Sequence, residues 1–342
     1  MAVLGAEELD RLLGAHRLGQ AVYALTSLGI PDLMAAGCAT PAELARQAGC
    51  VEPLLHRLLR ALASEGVLIQ DGDCFGLTPA SSRLVSEAPD SMRAMLLGWR
   101  LLPEKYAAFG SLAHTVRTGR PAFDHRYGSS FHKYLAEHPE VADAYQAAMS
   151  STTDGFDAAA AAYDFSKART VVDVGGGRGD LLVSVLARNP GIRGVLFDLP
   201  GVVADAPAAL AGAPEAARID IVGGDMFSAV PVGGDLYVFS TVLRCYDDDA
   251  CIRVLHRCRD AMADGGRVLA IEMRRPDGPW SSPTGLADLE ALVTYGGIDR
   301  TDGEWSRLFD RAGFELARVV PVDENFATFE ARLPSGRGAV PS

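Results

Sequence analysis

Val171-Val172-Asp173-Val174-Gly175-Gly176-Gly177-Arg178-Gly179-Asp180 is the stretch on which the fold turns. Three valines around one aspartate read as a buried strand. A glycine-rich loop follows, and apolar residues then return at helical spacing from Leu181 to Arg188. Strand, glycine loop and helix in this order form a nucleotide-binding turn. The loop lies at the carboxyl end of its strand, and glycine lacks the Cβ that would hold a ligand off the backbone. The spacing argues against a dinucleotide site. With glycines at 175, 177 and 179, Asp180 stands where the third fingerprint glycine belongs.

Working outward, further strands fit 194–197, 218–222, 235–241, 267–272, 315–320 and 326–331, with helices at 248–262, 281–294 and 301–312. This alternation predicts an α/β domain on a mainly parallel, seven-stranded sheet covered on both faces. Acidic residues recur at successive strand ends. Asp198 closes the second strand, where it can accept from two ribose hydroxyls. Asp225 follows the third and can accept from an exocyclic amine, while Met226 and Phe227 offer flat apolar surface to a purine. With Asp173 and the glycines Gly175 and Gly177, these point to an adenosine cofactor that lacks a pyrophosphate.

The first half reads differently. Helical spacing runs from Leu9 to Ile30, and Thr40-Pro41-Ala42-Glu43 is a capping box that opens a second helix. A third helix starts at Glu52-Pro53, and a small hairpin turns at Asp71-Gly72-Asp73. This is a winged-helix pattern, but residues 37–88 carry four basic and six acidic side chains, a balance unsuited to phosphate contacts. A packing or dimerisation module is the better expectation, with residues 1–165 forming one domain and 166–342 the other. The helices that follow the wing hold aromatic and apolar residues able to line a substrate pocket: Trp99, Phe109, Phe131, His132, Tyr145 and Met149, joined from the second half by Ala291 and Tyr295.

Composition narrows the class. The 342 residues are 48% apolar with a formal charge of −12, so a disordered chain is excluded and nucleic acid or an anionic membrane is a poor partner. No apolar run approaches the roughly 18–20 residues of a membrane span. The first 13 residues mix acids with leucines, unlike a secretion signal. Six cysteines without a CxxC pair fit small buried residues in a reducing cytoplasm, with no metal site. The tail from Pro334 to Ser342, with its glycines, serines and prolines, is expected to be disordered.

The motifs 172–177, Phe197-Asp198-Leu199-Pro200, Gly224-Asp225-Met226-Phe227, Val242-Leu243-Arg244-Cys245-Tyr246-Asp247-Asp248 and Gly296-Gly297-Ile298-Asp299-Arg300-Thr301 together resemble the S-adenosylmethionine-dependent O-methyltransferases of the plant caffeate and bacterial polyketide type. The resemblance implies a Rossmann-like class I methyltransferase domain behind a helical, winged-helix-like dimerisation domain, assembled as a domain-swapped homodimer that acts on a small aromatic or polyketide-like molecule. It places Asp173, Gly175, Asp198, Leu199, Asp225, Met226 and Ser240 at the cofactor, with Tyr246 at the position of the family's tryptophan.

One position departs from that family. Its general base is a histidine at the place of Arg244, and a guanidinium cannot take a proton near neutral pH. Of the two carboxylates that flank the base in plant members, one corresponds to Glu272 and the other is shortened to Asp299. Arg244 is expected either to stabilise an anion or to form an ion pair with Glu272 or Asp247, and His132 is the alternative base. A second reading keeps the cofactor but not the methyl transfer: a pericyclase, cyclase, hydroxylase or decarboxylase using Arg244 electrostatically.

Overall fold

Valine and isoleucine favour extended backbone because two substituents on Cβ crowd the helix, and the β-branched runs of the second half are where strands form. In the computed structural model, which describes residues 4–151, 153–278 and 282–334, β3 (Thr170–Val174), β4 (Arg193–Asp198), β5 (Ile219–Gly223), β6 (Leu236–Ser240), β7 (Arg267–Met273), β8 (Glu315–Pro321) and β9 (Phe326–Arg332) make one sheet in the order β5-β4-β3-β6-β7-β9-β8. The first five pair in parallel and β9 enters antiparallel between β7 and β8. The expected seven-stranded, mainly parallel sheet is therefore present.

Alternation along each strand sorts side chains into two cores. Val172, Val174, Tyr237 and Phe239 pack with Val254, Leu255, Trp305 and Phe309 on one face. Their neighbours Val171, Leu236, Val238 and Ile271 pack with Leu182, Val185 and Leu186 on the other. Because strand order reverses direction between β3 and β6, the loops after these two strands diverge and leave a crevice at the carboxyl edge.

The contacts divide the chain into two units, Met1–Tyr106 with Pro139–Ser151, and Ala107–His138 with Thr152–Ser342. The sequence boundary at 165/166 leaves residues 107–138 in the first half, whereas by contacts they cluster with the second unit. The reason is local packing: helices Leu112–Thr118 and Ala122–Tyr127 lie against helix Ser282–Tyr295. In the first unit, helix Pro41–Ala48 starts on the expected capping box, with Thr40 and Glu43 bonding each other's backbone N–H. The hairpin pairs β1 (Leu68–Asp71) with β2 (Cys74–Leu77). Leu25, Leu44, Leu59, Leu62 and Phe75 form this unit's core. Among the described residues no helix is long and apolar enough to cross a membrane, and no cluster of His, Cys, Asp and Glu could hold a metal ion. Residues 335–342 of the tail lie outside the described residues.

Candidate active site

Four strand ends of the second unit build the candidate site. After β3 the chain turns sharply at Gly175 and Gly177, both with positive φ, and a Cβ on Gly175 would run into the Val242 side chain. Asp173 is buried just beneath this loop, and neither of its carboxylate oxygens has a hydrogen-bond partner. Desolvation, aided by the neighbouring Asp198 and Asp180, pushes Asp173 up to about 7. Asp198, at the end of β4, accepts from the backbone N–H of Gly177 (2.9 Å) and of Leu199 (2.7 Å). Burial raises its pKa against the pull of those two bonds. Each oxygen keeps a lone pair for a further donor. Leu199 is exposed beside it. Past β5, Asp225 closes a turn by accepting from Phe227 N–H and the Ser228 hydroxyl.

At the end of β6, Ser240 is half-buried and Thr241 adopts φ 55°. Left-handed backbone on a β-branched residue costs on the order of 1–3 kcal/mol. It is held by its N–H donating to the Ile271 carbonyl and its hydroxyl donating to the Ser240 carbonyl. This bend delivers the short 243–245 helix that carries Arg244.

Arg244 is 7% exposed and clasps Asp299 bidentately, Nε to Oδ1 at 2.7 Å and Nη2 to Oδ2 at 2.8 Å. Nη2 also donates to the Ala287 carbonyl at 3.2 Å. The ion pair expected with Glu272 or Asp247 is thus made with Asp299. Desolvation disfavours the guanidinium charge, but the Asp299 carboxylate outweighs it and the pKa is raised. Asp247 instead caps helix Asp248–Ala261. Glu272, wholly buried on β7, accepts from Leu243 N–H at 2.8 Å through Oε1, while Oε2 is sealed without a partner. Burial pushes Glu272 up to about 8 in spite of Arg244.

An aromatic row runs beside these groups. Phe227 meets the Tyr246 ring edge-on at 5.2 Å; Tyr246 lies nearly parallel to His132 at 6.1 Å, and His132 to Tyr295 at 5.3 Å. Phe131 closes the row edge-on to Tyr295 at 5.5 Å, with Ala291 buried one helical turn from Tyr295. Desolvation lowers His132 to about 4, so its imidazole is neutral at pH 7. Met226 packs against the sheet core next to Phe227. Phe109 is an exposed member of the same unit. Trp99, Tyr145 and Met149 belong to the first unit, where Trp99 and Tyr145 are 5.8 Å apart and Lys105 sits over the Trp99 ring.

Two residues escaped the sequence reading. Arg300 is buried and donates to the carbonyls of Leu243 and Tyr246 and to Asp248, pinning both sides of the Arg244 turn. Gly297 lies flat against that turn: a Cβ there would overlap the Arg244 carbonyl oxygen, which accepts from Ile298 N–H at 2.9 Å. Both fall within the 296–301 motif, where a second glycine and a second charge beside Asp299 were the available signals.

Two family models match the chain, an O-methyltransferase domain over residues 109–315 and an O-methyltransferase dimerisation domain over residues 10–87. A phenazine O-methyltransferase of Lysobacter antibioticus is 39% identical over 328 residues, 95% of each chain. A 3-amino-4-hydroxybenzoate 4-O-methyltransferase of Streptomyces cremeus is 39% identical, covering 92% of this chain and 86% of its own. The crystal structure of an O-methyltransferase from neocarzinostatin biosynthesis, in complex with S-adenosyl-L-homocysteine and 1,4-dihydroxy-2-naphthoic acid, superposes with a TM-score of 0.86 at 31% identity, covering 98% of this chain and all of that one. All three carry methyltransferase names, which does not favour the reading in which the cofactor keeps its methyl group. The chain belongs to the S-adenosylmethionine-dependent O-methyltransferases of secondary metabolism, with a dimerisation domain N-terminal to a Rossmann-like methyltransferase domain.

Proposed function

We propose that this protein methylates a hydroxyl oxygen of a small planar aromatic or polyketide-like metabolite, as a cytoplasmic homodimer. The observation that carries this reading is the meeting, on one carboxyl sheet edge, of the acid-ended loops after β3, β4 and β5 with the aromatic row from Phe227 to Tyr295. The residues suit S-adenosylmethionine. Asp173 has two buried oxygens without a donor, and the loop above it turns with positive φ at Gly175, where a Cβ would collide with Val242. In this reading Asp198 takes the ribose hydroxyls, with Leu199 beside it. Asp225 takes the adenine amine, Met226 and Phe227 flank the ring, and Ser240, Gly175, Gly177 and Tyr246 line the remainder. When bound, the cofactor supplies an electrophilic methyl: the acceptor oxygen's lone pair forms the C–O bond while the C–S pair stays on sulfur, releasing S-adenosylhomocysteine.

The chain's own residues orient and exclude water. Glu272 holds the Leu243 N–H, Asp299 holds Arg244, and Phe131, His132, Ala291 and Tyr295 present flat apolar surface to an aromatic acceptor. Phe109, of the same unit, is proposed to complete the acceptor's surroundings. Six free thiols support the reducing compartment, and the dimerisation-domain match supports the homodimer. Incubation with S-adenosylmethionine and a panel of hydroxyarenes, including 3-amino-4-hydroxybenzoate and 1,4-dihydroxy-2-naphthoic acid, tests the reaction by mass. A product heavier by one methylene, with stoichiometric S-adenosylhomocysteine, is expected. A rearranged or ring-closed product with the cofactor unchanged would overturn it.

A further inference from the structure

Of the three guanidinium nitrogens of Arg244, two are engaged. Nε and Nη2 hold Asp299, and Nη2 also reaches the Ala287 carbonyl. Nη1 makes no hydrogen bond among the described residues, and the Arg244 side chain keeps 9% of its surface exposed. A charged donor with two free N–H bonds is therefore left beside the ends of β6 and β7.

We propose that Arg244 Nη1 binds the reacting oxygen of the acceptor, and that this enzyme selects acceptors that arrive as oxyanions: arenols and enols made acidic by conjugation to a carbonyl, a quinone or an electron-poor ring. The proposal rests on the methyl-transfer reading above and names its substrate class. The acceptor's proton leaves to water before binding, so no side chain gains or loses a proton during the transfer.

The surroundings remove each other route for that proton. Arg244 is a cation whose pKa Asp299 raises further. Asp299 is buried with both oxygens turned to Nε and Nη2 of the guanidinium rather than to Nη1. Glu272 has one oxygen on Leu243 N–H and the other shut away from any acceptor, and at about 8 it is mostly protonated at pH 7. His132 faces the site but, at about 4, would receive a proton from an ordinary phenol of pKa about 10 against a roughly million-fold equilibrium. Cys245 also faces Arg244, while Asp288, on helix Ser282–Tyr295, accepts from Asp299 N–H. The Arg244–Asp299 pair is neutral as a unit and Glu272 adds little charge, so no protein anion occupies the Nη1 donors. Hydrogen bonds from a cation to an oxyanion are about twice as strong as those between neutral groups, which favours an ionised acceptor over its neutral form.

The test uses two flat molecules of similar shape, 2-hydroxy-1,4-naphthoquinone, an acidic and coloured arenol, and 2-naphthol, an ordinary one. Absorbance titration of the hydroxynaphthoquinone on protein saturated with S-adenosylhomocysteine should show its pKa lowered by about one unit or more on binding. The shift should be lost in Arg244→Gln and partly kept in Arg244→Lys. Should Arg244→Gln fold poorly with Asp299 left unpaired, the double variant Arg244→Gln/Asp299→Asn removes both charges together. With the wild-type protein, kcat/KM should rise tenfold per pH unit up to the acceptor's own pKa, and that break should move from acceptor to acceptor across a graded series. An unshifted or raised bound pKa overturns the proposal, as does a break at one fixed pH for all acceptors, which would reveal a protein base. If no acceptor yields S-adenosylhomocysteine, the methyl-transfer reading fails, and the absorbance titration still decides the role of Arg244.

Discussion

At the scale of single residues, the site is notable for carboxyls that burial holds in the protonated form. Glu272 is raised from an ordinary 4.5 to about 8, and Asp173 from 3.8 to about 7. In that window the folded protein keeps protons that the unfolded chain releases. Stability from these groups is therefore complete below pH 4 and declines as pH rises towards 8. Glu272→Gln retains an oxygen for the Leu243 N–H and cannot ionise. Its melting temperature should fall less than the wild type's between pH 5 and 9, and at pH 9 the variant should be the more stable by a few kcal/mol, at roughly 1.4 kcal/mol for each pH unit by which the pKa is raised. Denaturant melts of the cofactor-free protein at four or five pH values check this; parallel curves would show that Glu272 ionises without cost. The presence of Arg244, Glu272 and Asp299 was legible in the sequence as three charges near strand ends. Their pairing was not, because Arg244 and Asp299 are 55 positions apart and local periodicity carries no information about that distance.

At the scale of elements, the site depends on two loops lying backbone to backbone, the turn 243–248 after β6 and the turn 296–299 before helix Asp302–Arg311. Gly297 permits the approach and Arg300 clamps it from within the core. In Gly297→Ala the new methyl has only main chain to displace, with Cys245 backbone atoms at 2.8 and 2.9 Å. Such overpacking costs about 1–3 kcal/mol, and it should separate Arg244 from Asp299. The variant is expected to melt several degrees lower and to lose most methyl transfer. Gly303→Ala, four residues beyond Asp299, meets nothing nearer than 3.6 Å in an exposed helical turn. It should be neutral or stabilising by up to about 1 kcal/mol. Thermal melts of the pair measure both, and equal effects would show that Gly297 matters only as a generic glycine. The strands themselves were readable from β-branched runs and one helix start from the capping box at Thr40, since these signals act within a few residues; the structure adds a second box at Thr301.

At the scale of the whole molecule, the N-terminal helix Ala6–Ser27 leaves Leu9, Leu12 and Leu13 about half exposed or more on one face, at the start of the residues 10–87 that match the dimerisation domain. Three leucines at i, i+3 and i+4 form an apolar stripe that a free monomer would leave in water. Sedimentation at micromolar concentration should give a dimer, and Leu9→Asp with Leu13→Asp should shift it towards monomer while the far-ultraviolet spectrum stays helical. A wild-type monomer at that concentration would contradict the homodimer. The overall charge of −12 bears on the site only through a few residues: Asp173 and Asp198 lie in it, whereas most of the acid is ordinary surface.

By itself the sequence determined the two-part organisation, the seven-stranded sheet and the strand-end acids around a glycine loop, because strand and helix periods, caps and tight turns are written in neighbouring residues. Only the tertiary structure decided what Arg244 does. Its guanidinium could have met Glu272 or Asp247 as readily as Asp299. The choice follows from the Thr241 bend, the flat approach at Gly297 and the Arg300 clamp, which together aim Nε and Nη2 at Asp299 and leave Nη1 open. A charge's partner is set by packing across the fold, and burial then fixes which of the surrounding groups can carry a proton.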